Sequence, residues 1–452
     1  MNKLWQKNTT VHEAVERFTT ASDREFDPML APFDILGSLA HIRMLAAVGL
    51  LAEAEQQQLA AALREIYHQI TTKGFALEPG VEDVHSQIEL WLTQKLGDMG
   101  KKIHSGRSRN DQVLVDIKLF LRAEIEHIVH ELHAFFSQLL TLSEKHRDDL
   151  MPGYTHLQLA MPSSFGLWFS AYAESLVDDM RMLRAAFDVV NKNPLGSAAG
   201  YGSSFPLNRR MTTTLLGFDD LHYNVVYAQM SRGKTEKIVA QALAHIAATL
   251  GRLAMDVCLY MNPHFNFIRL PDAFTTGSSI MPHKKNPDVF ELIRARCNQL
   301  QALPYEITLM TTNLPSGYHR DLQLIKEHLF PAFAALRDCI HMFELMFSHL
   351  EVRKNILDDP QYRYLFSVEE VNRRVLQGIP FRDAYRQVGQ EIEEGRFQYS
   401  GQLHHTHEGS IGNLCLDDIR RMMEEQVNSF PFEKIHRSLQ QLLADASSRG
   451  SE

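Results

Sequence analysis

The stretch DQVLVDIKLFLRAEIEHIVHELHAFFSQLLTLSEKHRDD, from Asp111 to Asp149, contains neither glycine nor proline. Leu114, Ile117, Leu121, Ile125, Ile128, Leu132, Phe135, Leu139 and Leu142 recur in it three or four residues apart. That period aligns them in one stripe along a helix, in a heptad-like pattern. At 1.5 Å per residue such a helix is roughly 55 Å long, several times the ~11 to 12 residues of an average helix. A rod of that length needs partners of comparable length to cover its stripe. Ser163 to Lys192 and Lys234 to Met261 qualify, the latter with Val239, Leu243, Ile246, Leu250, Leu253, Val257 and Tyr260 in the same spacing. Asp288 to Leu303 and Leu322 to Leu350 add two more, with Pro331 as the expected kink. Strand-like alternation is scarce. The expected fold class is therefore all-α, with an elongated bundle of long helices over residues 106–355.

On either side of this bundle the character changes. Residues 1–105 read as shorter helices with polar connections, carrying Leu45, Val48, Leu50, Ile66 and Ile70, and form an expected N-terminal helical domain. Beyond Asp359-Pro360 the segments are short and charge-rich, so residues 356–452 form an expected C-terminal helical domain. Three domains also match the length, and 44% hydrophobic content supplies a large core. A net charge of −9 argues against a nucleic-acid surface, so positive charge for an acidic ligand must be concentrated in a pocket. The first residues lack the apolar run of a signal peptide, and no stretch of about 18 apolar residues occurs, so no membrane association is expected. Cys258, Cys297, Cys339 and Cys415 show no paired spacing and read as reduced thiols of a cytoplasmic protein. His404, His405 and His407 lack a second ligand cluster and read as a polar turn; no metal is expected. Gly196 to Ser204 is rich in small residues but lacks GK[ST] after a strand, so it is not a phosphate cradle, and no cofactor is expected.

The chemistry-bearing residues lie where the helical pattern stops. Gly277-Ser278-Ser279-Ile280-Met281-Pro282-His283-Lys284-Lys285-Asn286-Pro287-Asp288 joins two long segments; glycine and serines supply a mobile backbone with hydroxyls, and Pro287 is placed to open the next helix. His104-Ser105-Gly106-Arg107-Ser108-Arg109-Asn110-Asp111-Gln112 crowds donors ahead of the longest helix, a setting for a carboxylate. Met151-Pro152-Gly153-Tyr154-Thr155-His156-Leu157-Gln158 places its polar residues on a bend. Ser316 to Lys326 sets Gln323 and Lys326 at i and i+3. The strings Asp34 to His41 and Glu82 to Glu89 combine acids, histidines and serines near helix starts, where capping alone accounts for them.

Taken together and in this order, from Ser38 to Lys326, these strings resemble the fumarase/aspartase superfamily, and the Ser108-Arg109-Asn110 element resembles its argininosuccinate lyase branch. The resemblance implies a helical bundle and β-elimination of argininosuccinate to arginine and fumarate, without cofactor. It implies Ser278 as the base that removes the Cβ proton and Lys284 as the holder of a substrate carboxylate. His156, paired with Glu291, becomes the candidate acid, directly or through water. Ser38, His85, Ser108, Arg109, Asn110, Thr155, Arg232, Ser279, Asn286, Tyr318, Gln323 and Lys326 become candidate substrate contacts. The partners implied are the small-molecule substrate and further copies of the chain. Arg109 and His156 stand at opposite ends of a rod roughly 55 Å long, so one site must draw them from different subunits, as in the superfamily's homotetramer. Three positions depart from the branch pattern: His283 stands where argininosuccinate lyases commonly carry glutamine and adenylosuccinate lyases histidine, Ser231-Arg232-Gly233-Lys234 replaces the commoner Ser-Asp-Arg-Asp, and Gly200-Tyr201-Gly202 alters a small-residue turn. Another fumarate-releasing C–N lyase, acting on adenylosuccinate or a different N-succinyl compound, and a crystallin-like structural protein stay open as alternatives.

Overall fold

Ser108 starts the longest helix. In a computed structural model, which describes residues 12–20 and 23–444, its hydroxyl accepts a hydrogen bond from the Asn110 N–H while Asp111 reaches back to the Ser108 N–H. This reciprocal cap satisfies donors that a helix start leaves open. The other oxygen of Asp111 accepts from the N–H groups of Gly196 and Ala198, at 2.9 and 3.0 Å, and so ties the 196–204 turn over the helix start.

After the short helical segments Glu13–Thr20 and Asp23–Phe26, three longer N-terminal helices precede that start: α1 (Ala31–Ala47), α2 (Glu53–Lys73) and α3 (Val84–Leu96). Helix α4 (Arg109–Lys145) then runs unbroken for 37 residues, and all nine residues of the predicted stripe are buried. Its first half is buried on almost every side, and two buried cations in it find hydrogen-bond partners. Lys118 donates to the carbonyls of Val189 and Val190, burial lowering its ammonium to about 7. Arg122 donates to Asn191 and the Leu216 carbonyl and lies 4.2 Å over the Phe218 ring. Asp116 belongs to the site described below.

An antiparallel hairpin, β1 (Leu150–Thr155) and β2 (Gln158–Ser164), reverses the chain into α5 (Phe165–Val190). A Cβ at Gly166 would lie 2.5 Å from the Arg147 Cα, so glycine is what permits α5 to start this close to the end of α4. Helices α6 (Lys234–Tyr260), α7 (Asp288–Thr311) and α8 (Ile325–Phe347) complete the bundle, α6 packing on α5, α7 and α8, and α4 on α5 and α8. Helices successive in the chain alternate in direction. The starts of α4, α6 and α8 therefore share one end of the bundle with the close of α7, where the space at Gly233 is bounded by Thr311. At the other end Trp168 meets Tyr260 at 5.2 Å between ring centroids, and Phe290 meets Phe347 at 6.3 Å.

Two features differ from the sequence reading. Helix α7 continues past Leu303 through Pro304 to Thr311, because Leu300, Leu303 and Ile307 continue its buried face and outweigh the lost N–H. The polar bend after α4 is the tip of a β-hairpin, and two further two-stranded pairings occur among the described residues. Helix α8 also runs through Pro331.

The C-terminal helices are α9 (Ser367–Leu376), α10 (Phe381–Glu393), α11 (Leu416–Val427) and α12 (Phe432–Leu443). Ile419, Met423 and Ile435 join the bundle core, while Leu442 enters a second core with α1–α3 and with Val115 and Leu119 of α4. Val371, Ala384, Val388 and Phe397 form a small cluster of their own. Two stretches, Arg24–Ala47 and Lys234–Tyr260, have the length and hydropathy of a membrane span, but they are largely buried here as core helices.

Candidate functional site

Arg109 opens α4 and points at the start of α3. Its guanidinium contacts Glu82 at 3.2 Å and Asp83 at 3.0 Å and donates to the Ser86 hydroxyl at 2.9 Å. Asp83 is the cap of α3, accepting from the N–H and hydroxyl of Ser86. Burial would raise its carboxyl, but His85, Arg109 and the Ser86 donors hold it below the usual range. The same residues that begin two helices thus position the first candidate binding group.

His85 lies beside them, on the first turn of α3. Its Nδ1 is 3.1 Å from Asp34 and 3.6 Å from Asp116. Burial alone would strip its proton, yet Asp34, Asp83 and Asp116 push its pKa up to about 9, so the ring is an imidazolium at neutral pH. Gln112 also donates to Asp34, at 3.1 Å, and Arg107 donates to Ser38, at 3.0 Å. Asp34 is held below the usual range by His85 and Arg107 against the effect of burial, whereas burial and the nearby Asp34 raise Asp116 well above it. Asp34, His85 and Asp116 bring potential metal-ligating atoms within 4.8 Å of one another. The imidazolium and the Arg107 guanidinium already compensate these carboxylates.

On the facing side stand the residues that lead into α8. Lys326 meets Asp27 at 2.5 Å, and Asp27 also accepts from the Val84 N–H. Arg320 approaches Glu82 at 3.4 Å. Arg232, on the turn before α6, pairs with Glu236 at 2.8 Å and donates to the Leu322 carbonyl at 3.0 Å. These groups enclose a cavity of about 140 Å³ that His85, Arg109, Asn110, Arg232, Tyr318, Gln323 and Lys326 all line. Seven of the sequence-predicted contacts are thereby brought together. Ser38 is fully buried behind this wall, bonded to Arg107, and the Ser108 hydroxyl is engaged in the cap of α4. The cavity presents cations together with three carboxylates, Asp27, Glu82 and Asp83, so it suits a ligand carrying both signs of charge.

The remaining candidates lie at the other end of the bundle. Thr155 and Gln158 close the hairpin, and His156 and Leu157 form its tip with φ of 54° and 58°. Two successive left-handed residues are what a tight hairpin turn requires, at a cost that asparagine or glycine would largely avoid. Thr155, His156 and Leu157 are all exposed. In the 277–287 loop the Ser278 hydroxyl oxygen accepts from the N–H groups of Met281 and Ile280, at 3.2 and 3.4 Å. Donors aimed at an oxygen favour its anionic form. Asn286 pairs with Thr276 through its backbone and donates its side chain to the Gly277 carbonyl, which pins the base of the loop. Ser279 and Lys284 are exposed on the loop, and Glu291 is exposed on the first turn of α7. Among the described residues, Glu291 and His156 make no hydrogen bond or ion pair with each other within the chain.

The two groups of candidates are therefore separated by the bundle itself. The 37 residues of α4 span roughly 55 Å and the 24 of α7 roughly 36 Å. One end holds the mixed-charge cavity; the other carries a hydroxyl with donors on it, an exposed lysine and an exposed imidazole. Sequence reasoning accounted for Asp34, Glu82 and Asp83 by helix capping and did not single out Asp27, Asp116 or Arg320. One signal was available: Gln112 and Asp116, four residues apart, interrupt an otherwise apolar run on one face of α4.

Residues 5–302 match the family described as Lyase. The chain is 60% identical to the argininosuccinate lyase of Parabacteroides distasonis over 98% of this chain and 99% of that one. It is 37% identical to the argininosuccinate lyase of Thermotoga neapolitana over 86% and 98% of the two chains. The fold is similar to that of EDDS lyase in complex with formate, with a TM-score of 0.72 at 22% identity over 97% of this chain and 95% of that one. By descent and by architecture, the chain belongs to the argininosuccinate lyases, carbon–nitrogen lyases of the fumarase/aspartase superfamily.

Proposed function

We propose that the chain catalyses the reversible cleavage of argininosuccinate to arginine and fumarate, for arginine biosynthesis in the cytoplasm, as a homotetramer. The observation that carries this reading is the division of the candidate residues between opposite ends of the rod. An antiparallel association of chains places the 277–287 loop of one and the hairpin tip of another against the Arg109 cavity of a third. The arginine half of the substrate carries both signs of charge and matches the mixed cavity; Asp27, Glu82 and Asp83 suit its cationic groups, and Arg232 and Lys326 its carboxylate.

Elimination begins with removal of the Cβ proton by Ser278, whose oxygen is poised by the Met281 and Ile280 N–H groups. The electrons of the C–H bond enter the adjacent carboxylate, which then bears two negative charges. Lys284 and Asn286 face that charge as the loop closes and excludes water. Collapse of this intermediate breaks the bond between carbon and the guanidino nitrogen. His156 delivers a proton to the departing nitrogen, directly or through water, and Glu291 of another subunit orients the imidazole. The products are fumarate and arginine.

Offering the purified protein argininosuccinate and adenylosuccinate in separate assays, with fumarate followed by absorbance, tests the reading. Release from argininosuccinate is expected. Release from adenylosuccinate alone would assign the other substrate, and release from neither would leave the structural role of the crystallins.

A further inference from the structure

Arg232 borders two cavities. One is the mixed cavity already described; the other, of about 300 Å³, opens at the start of α6. Lys234, Lys237 and His319 share its lining with Arg232, and among the described residues no carboxylate lines it. Neither lysine has a carboxylate partner among those residues. Only 1% of the Arg232 side chain is exposed; its Nε faces Glu236 and its Nη2 donates to Leu322, while its Nη1 has no hydrogen-bond partner. A buried guanidinium N–H left open is costly unless a ligand completes it. The N-terminus of the 27-residue α6 adds the positive end of its dipole to the same space. Gly233 sits there with φ of 79°, and a Cβ on it would lie 2.7 Å from the Thr311 methyl, so only glycine fits this turn at the cavity wall. In a chain of net charge −9, a cavity that is lined by Arg232, Lys234 and Lys237 and by no carboxylate among the described residues concentrates positive potential where an anion would reside.

We infer that this cavity is a second anion-binding subsite, contiguous with the substrate cavity through Arg232, which takes a phosphate-like oxyanion separate from the reacting succinyl group. Two oxygens of such an anion match the open Nη1 and the Lys237 ammonium, with Lys234 and His319 at the mouth. The inference rests on the reading of the neighbouring cavity as a substrate half-site. Occupancy engages the guanidinium that also borders that half-site, so the anion alters the substrate's KM more than kcat.

Inorganic phosphate is the probe, titrated calorimetrically into the full-length assembly with and without saturating fumarate. We expect one phosphate per chain that fumarate does not displace, and binding weakened about tenfold or more by Lys237→Gln, the effect of removing one charge-assisted hydrogen bond. Lys234→Gln, at the exposed mouth, is expected to weaken it less, and both variants should retain wild-type circular dichroism and turnover in phosphate-free buffer. Phosphate that does not bind, that fumarate displaces entirely, or that binds Lys237→Gln as tightly as wild type overturns the subsite. Wild-type protein that turns over argininosuccinate yet gives such a result refutes the subsite alone. Protein that binds phosphate as expected but releases no fumarate refutes the proposed activity alone.

Discussion

At Ser278 a hydroxyl oxygen receives two backbone N–H groups before any substrate is present, a poise suited to a base. Ser278→Ala is expected to lower kcat by ~10²- to 10⁴-fold, as for a lost general base, with the unfolding midpoint unchanged. Ser279→Ala should cost far less; steady-state kinetics in which the second variant is the worse would place the base at the wrong serine. His85 allows a different measurement. Its pKa rises from 6.5 to about 9 on folding, so the stability it contributes is complete below pH 6.5 and disappears as pH climbs through 9. Lys118 works oppositely: burial lowers it from 10.5 to about 7, so its penalty fades over pH 7 to 10.5. The difference between wild type and His85→Gln isolates the histidine. In urea unfolding that difference is expected to shrink by a few kcal/mol between pH 6 and pH 9.5, on the order of 1.4 kcal/mol for each tenfold gain in proton affinity on folding. A constant difference would mean that His85 is neutral in the folded state. The candidate binding cations were legible in the sequence because each sits in a short string. Their counter-ions were not: Asp27 reaches Lys326 across 299 positions, and no local pattern encodes such a pairing.

Among the elements, long helices were the easiest to read, since a stripe of nine apolar residues without a breaker admits no other structure. The hairpin was hidden because proline and glycine inside β1 read as breakers, and because its tip uses His-Leu where hairpins favour Asn-Gly. Leu157 is 79% exposed and gains no packing from its conformation. Leu157→Asn is therefore expected to raise stability by about 1 kcal/mol, seen as a higher urea midpoint; a lower midpoint would mean that the leucine is held by contacts in the assembly. The reverse is expected at Gly166, where any Cβ meets the Arg147 backbone and the Ser143 carbonyl. Gly166→Ala should cost about 1–3 kcal/mol through forced separation of α4 from α5. A midpoint within error of wild type would show that the two helices part freely.

For the whole molecule, the separation of Arg109 from His156 makes the most demanding prediction. Arg109→Ala and His156→Ala proteins, each nearly inactive, are expected to regain part of the wild-type activity when co-expressed, because some mixed sites draw both intact residues from different chains. Mixed tetramers verified by native mass spectrometry but showing no recovery would sink the shared site, as would a fully active monomer. The bundle was legible because its stripes are long. The path of the last helix was not: Leu442 of α12 enters the core of α1–α3, a contact about 400 residues distant in sequence that composition does not announce.

Helix α4 also acts as a ruler. Each residue advances it by ~1.5 Å and turns it by ~100°, so one residue inserted near its middle would swing Arg109 a quarter-turn or more relative to the hairpin. Seven residues nearly restore the face but lengthen the rod by ~10 Å, and every helix beside it would have to grow in step. Length changes in this lineage should therefore collect in the turns and at the chain ends, while α4 varies in side chains and keeps its residue count.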